Sequence, residues 1–350
     1  MRKKRIVKVG NIFIGGDYPV SVQTMTKVRT SDISSVVRQI KKIEQTGVDI
    51  VRLSVLDKKD AESIFFIKEK TKLPLVADIH YDWKLAVDAM ESGADKIRIN
   101  PSNTQKSGVV KVIKEAKKKG IPIRLGLNSG SIKITGRGLV KDIVCAASDA
   151  VKLCQDHDFF DIVISLKTPD VVATIESYRA IDEMFDYPLH LGVTEAGWGD
   201  AGLVKNALGI GVLLSEGIGN TIRVSLTDSP DKEVKAGQAI LQALKIRKFF
   251  PEIISCPTCG RCQVPLKKIL LTFSNRIIKM VKMYPELRNF TIAIMGCSVN
   301  GPGEAKQADI GIAGGKDRFA MFARGSIIGT YFTEKIEEEF FNKLKEMLHG

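Results

Sequence analysis

The sequence is short of acid. Its 40 aspartates and glutamates face 53 lysines and arginines, a formal net charge of +13. Such a deficit favours an anionic partner, whether nucleic acid, a phosphorylated metabolite or an acidic protein. Cysteine is scarce too, and the six present are clustered rather than spread. That distribution excludes a disulfide framework and suggests a reducing, cytoplasmic compartment. No long apolar run is present: the stretch after the basic residues Arg2 to Arg5 is broken by Lys8, too short for a signal segment or a membrane span. The basic run itself reads more simply as a solvated terminus than as a nucleic-acid arm. A dinucleotide fingerprint is also missing, since no G-x-G-x-x-G follows the first strand-like run at 20–24.

Three cysteines stand at regular spacing in Ser255-Cys-Pro-Thr-Cys-Gly-Arg-Cys262, and a glycine-rich loop forty residues on carries Cys297 and Glu304. Thiolates at this spacing suit zinc, an iron–sulfur cluster or a thiol redox pair. Zinc modules offer a second Cys or His pair, yet here the second loop has a single cysteine and no histidine lies between Cys256 and Cys297. Three cysteines with one weaker ligand fit a [4Fe-4S] cluster that has one labile iron. Cys145 and Cys154 fall in a helix and read as apolar residues.

Up to about residue 248, short β-branched runs alternate with amphipathic stretches. The runs lie at 20–24, 49–53, 75–79, 96–100, 122–126, 161–165, 189–193 and 221–225, with helices expected at 32–46, 59–71, 82–91, 105–119, 139–156, 170–184, 200–215 and 231–248. Eight βα units make a (β/α)8 barrel of the TIM type over 1–248, and a smaller α+β domain follows over 249–350. Gly47-Val-Asp-Ile-Val-Arg52 recurs as Gly93-Ala-Asp-Lys-Ile-Arg98, a weak repeat that ends each time on a cation. Arg124 and Arg223 occupy comparable strand positions, and Lys167 follows the sixth strand. Strand-end acids such as Asp78 and Glu195 are too few to neutralise these five cations, so a multiply charged anion is the natural complement at the barrel mouth. Polar residues gather at the same strand ends: Gln23, Thr24, His80, Asn100, Asn128, His190, Thr194 and Ser225. His80 and His190 are general-acid candidates there, and Glu195, among cations, is a better one for proton transfer.

Six segments together carry a resemblance. They are Ser21-Val-Gln-Thr-Met-Thr26, Ala77-Asp-Ile-His80, Arg98-Ile-Asn-Pro101, Gly192-Val-Thr-Glu-Ala-Gly197, Cys256-Pro-Thr-Cys-Gly-Arg261 and the loop from Gly296 to Glu304. In this order and spacing the chain closely resembles the bacterial 4-hydroxy-3-methylbut-2-enyl diphosphate synthases, in their compact two-domain form. The resemblance implies an oxidoreductase of non-mevalonate isoprenoid synthesis, acting on 2-C-methyl-D-erythritol 2,4-cyclodiphosphate with electrons from a ferredoxin or flavodoxin. It implies that Cys256, Cys259, Cys297 and Glu304 hold a [4Fe-4S] cluster, with Glu304 yielding to a substrate oxygen. It further implies that Arg52, Arg98, Arg124, Lys167 and Arg223, with Asn100, Asn128 and Ser225, grip the diphosphate beside Asp78 and His80, and that Glu195 supplies a proton. A homodimer, in which the small domain of one subunit caps the barrel of the other, belongs to the same expectation; no nucleic acid or membrane does. Cys262 departs from the family pattern and could complete an all-thiolate site instead of Glu304. Two rivals differ in class: a pterin-binding barrel, against which the cysteine-bearing tail argues, and a zinc-bearing nucleic-acid-binding protein, suggested by charge and spacing alone.

Overall fold

The computed structural model describes residues 3–297 and 307–349, and begins with a small antiparallel hairpin, β1 (Val7–Val9) and β2 (Ile12–Ile14). Eight strands then form one parallel sheet: β3 (Ser21–Met25), β4 (Ile50–Val55), β5 (Leu75–Ile79), β6 (Lys96–Ile99), β7 (Ile123–Asn128), β8 (Ile162–Lys167), β9 (His190–Leu191) and β10 (Thr221–Ile222). Their order, β8-β7-β6-β5-β4-β3-β10-β9, closes through a parallel bridge between Ile164 and Leu189. This is the α/β barrel that the alternating pattern implies.

Helices follow the strands: α1 (Ile33–Glu44), α2 (Lys58–Lys68), α3 (Trp83–Glu91), α4 (Lys106–Lys119), α5 (Leu139–Gln155), α6 (Val171–Met184), α7 (Gly199–Ser215) and α8 (Pro230–Ala243). Aspartates start four of them. The side chains of Asp32, Asp57, Asp82 and Asp170 accept hydrogen bonds from backbone N–H groups in the first turns of α1, α2, α3 and α6, satisfying donors that the helix itself leaves free. Pro230 opens α8, where its fixed φ suits the first turn.

The hairpin is a feature that the sequence reading lacks. Its buried Val7, Val9 and Ile14 cluster with Ile50, Val76 and Val163 near the N-terminal ends of β4, β5 and β8, so it forms an apolar floor under the barrel. Two three-residue strands around Gly10 are too short to show a period in sequence.

The chain divides into two compact units, Met1–Arg247 and Lys248–Gly350. The second holds a five-stranded sheet in the order of the chain: β11 (Glu252–Ser255), β12 (Thr291–Met295), β13 (Ile310–Gly314), β14 (Arg318–Ala323) and β15 (Ser326–Phe332). β11, β12 and β13 are parallel, and β14 and β15 add antiparallel. Alternation along the strands sorts the two faces. Ile292, Ile294, Ile310 and Ile312 meet Phe273 and Ile277 of α9 (Leu266–Met283) and Phe340, Phe341 and Leu344 of α10 (Ile336–His349). Each of these phenylalanines, fully buried, contributes roughly 1.5–3 kcal/mol. Ala293, Met295, Ala308, Ala313 and Phe322 form a smaller cluster on the other face. Among the described residues, no helix is long and apolar enough to cross a membrane.

Candidate functional site

Side chains at alternate positions of the barrel strands point inward, and register brings the charged ones together. Asp78 of β5 pairs with Arg98 of β6, and Arg98 with Arg124 of β7. A cavity of about 170 Å³ opens there, lined by Arg52, Asp78, Arg98, Arg124, Lys167 and Arg223, together with His80, Asn128, Thr194 and Ser225. All five cations expected at the mouth line it. Asp78 is their shared acid: Arg98 Nη1 lies 3.0 Å from its Oδ1, and Arg52 Nε 3.7 Å from its Oδ2. Burial pushes the Asp78 carboxyl up, but Arg52 and Arg98 outweigh it and hold it well below the usual carboxylate range.

Arg98 is the most tightly held of the cations. It donates to Asp78 and to the Gly126 carbonyl at 3.0 Å, and its Nη1 stands 2.7 Å from His80 Nε2. For Arg98 to donate there, His80 must present an unprotonated Nε2. Gly126 is required by this crossing, because a Cβ at that position would come within 2.4 Å of Arg98 Nε. Arg124 and Lys167, by contrast, have no acidic partner within salt-bridge distance among the described residues. Nε and Nη1 of Arg124 are buried without a hydrogen bond. Burial, and then repulsion from Arg124 and Arg223, draws the Lys167 amine well below its ordinary pKa.

Around the mouth the remaining residues divide. Asn100 is buried and donates to Asn128 Oδ1 at 3.3 Å, while its own Oδ1 accepts from the Ser102 N–H. Ser225 is fixed through its backbone, which Asn206 bridges at both the N–H and the carbonyl. Glu195 is exposed on the loop after β9, with a left-handed φ of 52°, and does not line the cavity, although Thr194 does. His190 is fully buried in β9, and burial together with Arg124 and Lys167 pushes its pKa well down. It is therefore a neutral imidazole near neutral pH, not a charged acid.

Two charged residues escaped the sequence reading. Glu233, in the first turn of α8, is buried against β3: it accepts from Thr24 Oγ1 at 2.8 Å and from Lys27 Nζ at 2.7 Å, with Arg223 Nη2 at 3.7 Å. Lys96 opens β6 with no exposed surface. A first-turn acid after Pro230 and a cation two residues before Arg98 were the available signals.

The cysteine loops sit at strand ends of the second unit. Ser255 pairs with Ile294 in the parallel β11 and β12, so Cys256 and Cys297 follow neighbouring strand termini. The Gly296 N–H donates to Cys256 Sγ at 3.4 Å, and a Cβ on Gly296 would lie 2.5 Å from Cys262 Sγ and 3.4 Å from Cys256 Sγ. Glycine is thus required where two sulfurs approach the turn. Cys259 is exposed, and the Arg261 backbone N–H and side chain lower its thiol pKa. Glu304 lies outside the described residues. Among the described residues no three Cys, His, Asp or Glu side chains converge on a single point. The donor set is nonetheless soft and sulfur-rich, with an N–H turned towards one sulfur, and such a set fits iron–sulfur ligation.

The model of the GcpE TIM-barrel domain matches residues 4–238, and that of the GcpE protein C-terminal domain matches residues 252–346. The chain belongs to the GcpE family. Among GcpE relatives, the chain is similar to the 4-hydroxy-3-methylbut-2-en-1-yl diphosphate synthase (flavodoxin) of Ruminiclostridium cellulolyticum, 48% identical over 97% of each chain. The protein of the same name from Fusobacterium nucleatum is 44% identical over 100% of this chain and 99% of its own. Solved structures at low identity share the GcpE barrel alone. The dihydropteroate synthase of Yersinia pestis, 12% identical, covers 69% of this chain and 98% of its own with a TM-score of 0.51. The type I 3-dehydroquinate dehydratase of Clostridium difficile, 15% identical, covers 69% and 98% with a TM-score of 0.52. The pterin-binding rival therefore shares the barrel's architecture, and family membership goes to GcpE.

Asp78→Asn tests the electrostatics of this mouth. Removing the one charge that Arg52 and Arg98 share should destabilise the protein by about 3–5 kcal/mol, because it leaves buried cations uncompensated. Denaturant unfolding with a loss under about 0.5 kcal/mol would show that the pairing contributes little.

Proposed function

We infer that this chain carries out the reaction named for its GcpE relatives. It reduces 2-C-methyl-D-erythritol 2,4-cyclodiphosphate to 4-hydroxy-3-methylbut-2-enyl diphosphate in non-mevalonate isoprenoid synthesis: two electrons and two protons enter, the ring opens, and water leaves. The observation that carries this reading is the barrel mouth, where Arg52, Arg98, Arg124, Lys167 and Arg223 converge on one cavity that contains a single lining acid, Asp78. A cyclic diphosphate supplies the missing negative charge. Each charge-assisted hydrogen bond to it contributes about 1.5–3 kcal/mol.

The arginines have the planar forks that suit phosphate oxygens, and Asp78, by holding Arg52 and Arg98 in place, keeps two of them preorganised. Asn100, Asn128 and Ser225 are proposed to complete the grip with neutral donors, and His80 to orient Arg98. Glu195, exposed at the rim beyond Thr194, is the proposed proton donor. Cys256, Cys259, Cys297 and Glu304 are proposed to hold a [4Fe-4S] cluster, and Cys262 to pack beside it. Such a cluster, when bound, supplies electrons one at a time. Flavodoxin, which stands in the relatives' name, is the proposed donor, and a homodimer the proposed assembly.

Arg98→Ala and Arg223→Ala should each weaken binding of the cyclodiphosphate roughly ten- to a hundredfold. Titration calorimetry without reductant reads this directly, and unchanged affinity in both variants would refute the assignment. For the second unit, Cys297→Ser should lose its iron on anaerobic reconstitution while Cys262→Ser keeps about four irons per chain. Iron and sulfide analysis decides between them, since the reverse result would make Cys262 the fourth ligand.

A further inference from the structure

Lys96 is the charged residue that the binding reading leaves without a task. It is fully buried, and its Nζ has no hydrogen-bond partner. Register gives its direction: Lys96 pairs with Val76 and Arg98 with Asp78, so Lys96 shares the interior face one layer below Arg98. Beneath it lies the apolar floor of Val7, Val9, Ile14, Ile50, Val76 and Val163, which offers neither a counter-ion nor a hydrogen bond.

The groups facing this amine are almost all basic. They are Arg52 on β4 and Arg124 on β7, with Arg98 one layer above on its own strand and His190 buried nearby on β9. Tyr178 of α6 is a buried phenol that donates to the His190 carbonyl at 2.5 Å, with its pKa raised to about 12 by burial, so it brings no charge. Of the nearby carboxylates, Asp78 is engaged by Arg52 and Arg98, and Glu233 by Thr24 and Lys27. Guanidinium groups do not shed their protons in proteins, whereas a buried amine does. The surplus of positive charge is therefore relieved at lysine.

We propose that Lys96 couples substrate binding to proton uptake: above neutral pH its buried, unpartnered amine is mostly neutral in the free protein and takes a proton from solvent once the diphosphate occupies the arginine layer above it. The step adds one proton to one amine and makes no bond to substrate, so Lys96 is a positioning residue that tunes the field under the site. Burial, and then repulsion from Arg124 and Arg52, draws its pKa down to about 7. An anion bound above reverses that repulsion and raises it. The sign follows: between the free and bound pKa values, affinity falls as pH rises, by roughly tenfold per unit for one proton. The cyclodiphosphate itself does not titrate there, since each phosphorus keeps a single, strongly acidic oxygen. Protons taken up near neutrality are therefore the protein's.

The inference rests on the proposed binding of a cyclic diphosphate at the barrel mouth. It is tested by calorimetric titration of the full-length holoprotein with 2-C-methyl-D-erythritol 2,4-cyclodiphosphate, without reductant, at about pH 8 in buffers of different ionisation enthalpy. Lys96→Met should take up about one proton fewer than the wild type, and the decline of its affinity with pH should be shallower by roughly a decade per unit. Lys167→Met, which alters the mouth instead, should keep that increment while binding more weakly. Equal uptake in the wild type and Lys96→Met overturns the proposal, as does loss of all uptake in Lys167→Met. Should Lys96→Met not fold, Lys96→Gln, which keeps much of the side chain's length and can hydrogen-bond, takes its place in the same comparison, and uptake in Lys96→Gln equal to that of the wild type overturns the proposal. A wild type that binds no cyclodiphosphate overturns the binding reading as well, whereas binding without uptake overturns this inference alone.

Discussion

Uncompensated positive charge inside the barrel is the constraint around which the first unit is organised. Arg52, Arg98, Arg124, Lys167 and Arg223 line one cavity, with Asp78 shared by Arg52 and Arg98 and Glu233 beside Arg223. Removing ions from water costs several kcal/mol each unless they are paired, so such an interior persists only on a scaffold with stability to spare. The closed sheet, the aspartate-capped helices and the hairpin floor of Val7, Val9 and Ile14 supply it. Stability and charge are opposed at this layer: filling it with apolar side chains would strengthen the fold and remove the cationic lining of the mouth.

The same layer explains why neutral and charged groups are placed as they are. Arg98 is locked by Asp78 and the Gly126 carbonyl, a rigid fork of the kind that recognises phosphate oxygens. Arg124 and Lys167 have no salt-bridging acid among the described residues, which leaves their charge directed at the cavity. His190, neutralised by its surroundings, adds none. In the second unit a different economy applies. Parallel strands end in short loops that carry sulfur, and glycine at 296 leaves room for Cys256 and Cys262 to approach the turn.

Much of this was legible in the sequence because the signals were periodic. β-branched runs at regular intervals gave all eight barrel strands, and cations at equivalent strand positions gave Arg52, Arg98, Arg124 and Arg223. Lys96 was hidden by the same periodicity: in Gly93-Ala-Asp-Lys-Ile-Arg98 a lysine at a strand start reads as an exposed edge residue, and only register with Val76 turns it inward. Glu233 was hidden by its helix, where a first-turn acid is ordinary and its burial against Thr24 depends on a strand more than two hundred residues away. The hairpin floor was missed for want of length. Glu195 illustrates the converse, since its motif was legible but its exposure and left-handed backbone were not.

The most direct test of the central claim compares ligands by charge. In thermal or denaturant unfolding, 2-C-methyl-D-erythritol 2,4-cyclodiphosphate at about a hundred times its dissociation constant should stabilise the protein by about 2.7 kcal/mol. The unphosphorylated tetrol at the same concentration should leave the transition unmoved. Equal stabilisation by the two would contradict the account, because it would mean that the site recognises the carbon skeleton and that its cations are not there for an anion.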